Sequence, residues 1–231
     1  MTAAPENVNE SEDVELADVA VRREIVSSKP RFEGRVWSVR TDVVDLADGQ
    51  QVERDVIAHP GAVGIVALDD DLQVLLVRQY RHPVSALLWE PPAGLLDVDG
   101  EDPLDAAARE LYEEAGYRAR EWSVLVDTFT SPGGSDEAAR IYLARGLTEV
   151  AADERFSGEG EERDMPSRWF PLGAARDAVL QGQLHNPLGV IGILAAAAVF
   201  LGNAMNPSQI RPAGAPWFPR SSNPQLVKGE I

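Results

Sequence analysis

Between Gly94 and Tyr117 the chain runs Gly-Leu-Leu-Asp-Val-Asp-Gly-Glu-Asp-Pro-Leu-Asp-Ala-Ala-Ala-Arg-Glu-Leu-Tyr-Glu-Glu-Ala-Gly-Tyr, an acidic loop leading into a short helix whose two ends are marked. Asp102 can cap the N-terminus, and Pro103 suits the first helical position because the N–H it lacks would find no partner there. Gly116 can take the left-handed conformation that stops the helix. Leu104, Ala107, Ala108, Leu111 and Ala115 recur at helical spacing and predict one narrow apolar face. At about 100° per residue, Arg109, Glu110, Glu113 and Glu114 fall on the other side. Like charges one turn apart, as at Glu110 and Glu114, destabilise a helix by roughly 0.2–0.5 kcal/mol per pair.

A run of charge is ordinarily the solvated face of a surface helix. That reading leaves the Pro-Pro-Ala-Gly entry at 91–94 and the Gly-containing loop after it without a purpose. A hard divalent ion such as Mg²⁺ takes oxygen ligands and keeps several waters, so two or three helix carboxylates and a loop carbonyl suit it. The segment resembles the box of the Nudix family, in Gly94, Glu101, Arg109, Glu110, Leu111, Glu113, Glu114 and Gly116, with seven residues between Glu101 and Arg109. It departs from the family pattern in two places: six residues rather than five separate Gly94 from Glu101, and Tyr117 stands where an aliphatic residue is usual. The extra residue lies ahead of the helix, so it is expected to bulge outward and leave the glutamate register intact.

The chain has 231 residues and a net charge of −17, with 38 acidic and 21 basic side chains. One domain of about 150 residues with appendages is the natural expectation. The acidic surface argues against nucleic acid as a bulk partner. The absence of cysteine excludes disulfides, thiolate metal sites and a cysteine nucleophile. The N-terminus lacks the apolar core of a secretory signal, and the apolar run 188–201 is too short and Gly-interrupted to span a bilayer. The expectation is a cytoplasmic protein with no membrane partner.

Four regions are expected. Residues 1–18 read as a disordered acidic N-terminus, 19–58 as an N-terminal β-sheet extension, 59–204 as the catalytic domain and 205–231 as a loose Pro-rich tail. Within these, 19–26, 35–46 and 51–58 read as strands, and 61–68 with 72–80 as a second, buried hairpin around three aspartates. After the helix come strands at 122–130, 138–144 and 167–170, then helices at 172–181 and 187–201. This order predicts an α+β fold, and the resemblance implies the Nudix-type α/β/α sandwich with the N-terminal antiparallel sheet added. It also implies a homodimer in which the extension is exchanged between subunits.

Pro132, sixteen positions past Gly116 in Ser-Pro-Gly-Gly, is similar to the ADP-ribose pyrophosphatase branch of the family, although the same residues alone would make an ordinary turn. The resemblance implies that the loop borders substrate, with Gly133 and Glu137 as contacts. It implies further contacts at Arg81 and Arg54, and a base-stacking side chain at Arg35 or Trp37. It assigns the metal to Glu110, Glu113, Glu114 and the Ala93 carbonyl, with Arg109 as their brace and Mn²⁺ a substitute for Mg²⁺. The catalytic base is expected from the acidic segment 156–165: Glu162 first, then Glu161, with Glu159 behind. His59, His82 and His185 are too scattered for a metal site and read as structural. The activity implied is hydrolysis of ADP-ribose to AMP and ribose 5-phosphate. The alternatives are another nucleoside diphosphate derivative, such as a nucleotide sugar or NADH, or a sensing domain that binds ADP-ribose without cleaving it.

Overall fold

The capped helix forms as its ends dictate. In the computed structural model, which describes residues 16–46, 49–151, 153–156, 165–202 and 204–218, α1 spans Pro103–Ala115. Asp102 accepts from the Leu104 N–H at 2.8 Å, and Gly116 ends the helix at φ 68°. The apolar face differs from the expected one: Ala106, Ala107, Leu111 and Ala115 are buried, and Ala108 faces water. At about 100° per residue, Glu110 and Glu114 fall between Ala106 and Ala107. The two carboxylates therefore sit on the flank turned toward the sheet, not opposite the core.

The strands in chain order are β1 (Ile25–Glu33), β2 (Ser38–Asp45), β3 (Gln51–Ala58), β4 (Ala62–Ala67), β5 (Gln73–Arg81), β6 (Ala86–Glu90), β7 (Ala93–Leu95), β8 (Tyr117–Arg118), β9 (Glu121–Phe129), β10 (Ala138–Arg145), β11 (Thr148–Glu149), β12 (Ser167–Pro171) and β13 (Arg211–Pro212). Two further helices, α2 (Leu172–Leu180) and α3 (Pro187–Phe200), follow β12. The central sheet has the order β13-β9-β10-β4-β7, with β10 and β4 parallel; a second sheet has the order β12-β5-β6. On one side α1 closes a core around Val63, Ile65, Leu111 and Tyr142; on the other α2 and α3 close a core around Val66, Leu76, Ile141 and Ile193. Each such side chain contributes about 1.5–3 kcal/mol when fully buried. The result is the α/β/α sandwich expected of the sequence, with β1, β2 and β3 as a separate antiparallel sheet.

Several boundaries are corrected. The first strand begins at Ile25, not at Val19, and runs through Pro30. A proline is tolerated there because β1 is an edge strand, where a missing N–H costs no inner ladder bond. β2 starts at Ser38 rather than Arg35 because residues 34–37 form a turn, in which the Gly34 N–H donates to the Trp37 carbonyl at 3.1 Å. β4 and β5 meet at their turn through the Leu68–Val74 bridge, but then diverge into different sheets, drawn by their non-local partners β10 and β12. The expected loose tail is docked as far as it is described. β13 pairs with β9, and Arg140, buried in β10, donates to the carbonyls of Ala215 and Pro216 while lying 4.8 Å from the centre of the buried Trp217 ring.

Candidate active site

The two halves of the box meet where β7 passes the flank of α1. The Ala93 N–H donates to Glu114 Oε2 at 2.9 Å. Gly94 is required here for space: a Cβ would stand 2.2–2.3 Å from Oε1, Cδ and Cγ of Glu110. The strand backbone thus closes directly on both carboxylates. Burial pushes the Glu114 pKa up from 4.5 to about 8; the Ala93 N–H and Arg81 lower it, while Glu110 and Glu90 raise it. A carboxylate held in that state gains from a cation beside it.

Arg109 organises the exposed end of the cluster. Its Nε and Nη2 form a fork on Glu101, each at 3.0 Å, and Nη1 donates to Glu110 at 2.7 Å and Glu113 at 3.1 Å. The Glu101 carboxyl is held below the usual range by its hydrogen bond from Arg109. The inserted loop residue therefore leaves Glu101 in reach of Arg109. Among the described residues no three acidic, His or Cys side chains converge as an ion cage. Mg²⁺ is commonly held by one or two carboxylates, with water and substrate phosphate completing its shell, so Glu110 and Glu114 are side chains that could hold such an ion.

At the ends of β5 and β6, Arg81 makes a fork on Glu90, with Nε to Oε1 at 2.9 Å and Nη2 to Oε2 at 2.8 Å. Asn186, at the N-cap of α3, also donates to Glu90. Arg81 is among the expected contacts; Glu90 and Asn186 are not. One signal was available: an acidic residue closing the apolar run Leu87-Leu88-Trp89, and an asparagine directly before Pro187.

The loop holding Gly133 and Glu137 lies against the N-terminal sheet. The Gly134 carbonyl accepts from the Ile57 N–H at 2.8 Å, and Asp136 accepts from the His59 N–H at 2.9 Å. Glu137 accepts from the Thr130 hydroxyl at 2.5 Å. Arg54 is exposed on β3 and donates to the Glu53 carbonyl; no described contact brings it to the box. Trp37 is exposed and packs 6.1 Å from the Phe32 ring, so it is not a core residue. Among the histidines, His59 has a backbone role, its Nδ1 accepting from the Gly61 N–H at 3.0 Å. Glu159, Glu161 and Glu162 lie outside the described residues. The chain leading toward them is held to the box helix where Tyr112 Oη donates to the Glu154 carbonyl at 2.7 Å.

Comparisons with known proteins bear on the family and the fold. An ADP-ribose pyrophosphatase of Mycobacterium tuberculosis is 46% identical over 197 residues, covering 85% of this chain and 92% of that protein. A methanol dehydrogenase activator of Bacillus methanolicus is 33% identical over 168 residues, covering 73% of this chain and 89% of that protein. The crystal structure of an ADP compounds hydrolase superposes with a TM-score of 0.60 at 20% identity, covering 79% of this chain and 97% of the other, and shows the shared fold. The family model described as the NUDIX domain matches residues 58–187, which take in β4 to α3's first residue and the whole carboxylate cluster, and the chain belongs to the Nudix family.

Proposed function

We propose that the protein hydrolyses the pyrophosphate bond of ADP-ribose, with Mg²⁺, to give AMP and ribose 5-phosphate. The observation that carries this reading is the approach of β7 to α1, where Gly94 leaves room for Glu110 and the Ala93 N–H fixes Glu114. The choice of substrate is supported by the similarity to the Mycobacterium tuberculosis protein over 92% of its length. Glu110 and Glu114 would hold the ion with the Ala93 carbonyl, and Glu113 would join them when released from Arg109. The ion, when bound, supplies positive charge against the charge that builds on the phosphoryl oxygens and acidifies the attacking water. Glu162, or Glu161 in its place, takes that water's proton. The water oxygen bonds to one phosphorus, the P–O–P bridge breaks, and the leaving phosphate carries away the electron pair. Arg109 keeps the glutamates in register through its bonds to Glu101, Glu110 and Glu113. Arg81, Arg54, Gly133 and Glu137 would meet the phosphates and sugars.

The same reading makes the enzyme a homodimer. Ile25, Val26, Phe32, Val36 and Trp37 of the N-terminal extension are exposed in the single chain, an apolar surface that a second copy would cover. The test of activity is a product assay on ADP-ribose, a nucleotide sugar and NADH with Mg²⁺ or Mn²⁺. AMP and ribose 5-phosphate should appear fastest from ADP-ribose. Faster turnover of another substrate would reassign the specificity, and binding of ADP-ribose without products would make the protein a sensor.

A further inference from the structure

Among the polar residues that the described fold buries outside the box, two are joined to each other: Glu90, 1% exposed, and Asn186, 9% exposed. A buried carboxylate is unfavourable unless its charge and lone pairs are both answered. Arg81 answers the charge through its fork, and Asn186 Nδ2 donates to Glu90 Oε2. Asn186 is itself fixed, because its Oδ1 accepts the Gly189 N–H at 2.9 Å as the cap of α3. A chain of hydrogen bonds therefore runs from the start of α3 through Asn186 and Glu90 to Arg81. Its two ends differ. The Glu90 side chain is 2% exposed and that of Arg81 is 42% exposed, so the fork has a dry anchor and a wet tip.

We infer that Glu90 is a positioning residue for substrate phosphate: it holds the Arg81 guanidinium ready beside the carboxylate cluster, and Asn186 holds Glu90. This rests on the reading of Arg81 as a substrate contact. The fork uses N–H groups on Nε and Nη2 of a guanidinium that has five N–H donors, so donors are left for phosphate oxygens. An arginine without such an anchor must be ordered when substrate binds, which weakens binding. It would also be free to turn onto Glu114, whose charge it already faces and which is intended for the ion. Glu90 keeps it from doing so by offering a fixed partner. A pair that only tied β5 to β6 would not need an arginine tip left exposed with donors to spare.

The experiment uses the Mg²⁺-loaded full chain, steady-state kinetics on ADP-ribose, and calorimetric binding of an ADP-ribose analogue whose phosphates are bridged by methylene. Glu90→Gln keeps the shape and removes the charge. It should raise KM and weaken analogue binding by roughly 3- to 10-fold, as expected for one side chain that must be ordered on binding, while kcat changes less. Arg81→Lys loses the planar fork and should weaken binding on its own. Adding Glu90→Gln to Arg81→Lys should then cost little more, because the arginine through which Glu90 acts is gone. Asn186→Ser is the variant to use if Glu90→Gln does not fold. Serine can still cap α3 but cannot donate to Glu90 in the same way, and the same rise in KM is expected at smaller size. Full additivity of Glu90→Gln with Arg81→Lys, or a lower melting temperature with KM unchanged, would overturn the inference. Arg81→Lys with unaltered binding would remove its basis while leaving the hydrolase reading in place. A wild-type protein that neither binds nor cleaves ADP-ribose would remove both.

Discussion

Replacing Glu114 by glutamine should stabilise the ion-free protein, and increasingly so as the pH rises. Burial is the main reason that the Glu114 pKa stands near 8 in the fold rather than at 4.5; Glu110 and Glu90 add to it against the Ala93 N–H and Arg81. The folded protein thus holds this proton more tightly than the unfolded chain does. Below pH 4.5 both states are protonated and nothing is lost; stability falls as the pH climbs from 4.5 to about 8, and the loss is constant above that. The full loss corresponds to about 4–5 kcal/mol, an order-of-magnitude figure. Glutamine does not titrate, and its oxygen can still accept the Ala93 N–H. Urea unfolding of both proteins in a chelator at pH 5 and pH 9 measures the effect. The stability difference should move toward Glu114→Gln by about 2 kcal/mol or more between the two pH values. Adding Mg²⁺ at pH 9 should raise the wild type more than the variant, since only the wild type presents the full donor pair. Parallel stability profiles of wild type and variant over this range would mean that Glu114 carries no withheld charge.

Gly94→Ala places a Cβ 2.2–2.3 Å from the Glu110 side chain; Glu110 must move, so turnover should fall about 10²-fold with the urea midpoint nearly kept. Trp217→Ala removes a buried ring stacked on Arg140, and should destabilise the fold by about 3–5 kcal/mol in urea unfolding. A truly loose tail would show no such loss. Glu162→Gln should lower kcat by about 10²–10⁴-fold with KM little changed in steady-state kinetics. A wild-type kcat in that variant would move the base to Glu161 or Glu159.

The parts legible in the sequence were those whose cause is local. Asp102, Pro103 and Gly116 mark α1 because capping needs only neighbouring backbone, and all three act as read. The α+β class followed from the order of strands and helices, and the sandwich from the family resemblance. What was hidden depends on non-local partners. Ala106 is buried and Ala108 is not, because the sheet meets α1 on the Glu110 and Glu114 flank, a docking direction that apolar periodicity alone does not give. Arg140 looks out of place in an apolar strand until Asp127, across the ladder, and the carbonyls of Ala215 and Pro216 are brought to it. Glu90 is the same case at the active site. Its sequence neighbours are apolar, and the residues that make its burial tolerable lie on β5 and at the start of α3. Charge inside an apolar run is thus the mark of a partner distant in sequence.

Whether the carboxylates beside β7 support hydrolysis is tested most simply by turnover of ADP-ribose at saturating Mg²⁺ by wild type and Glu114→Gln, each verified as folded. AMP and ribose 5-phosphate are expected from the wild type, with a loss of about 10³-fold or more in the variant, on the scale of a removed transition-state charge stabiliser. A Glu114→Gln protein that kept most of its Mg²⁺-dependent turnover would contradict that role.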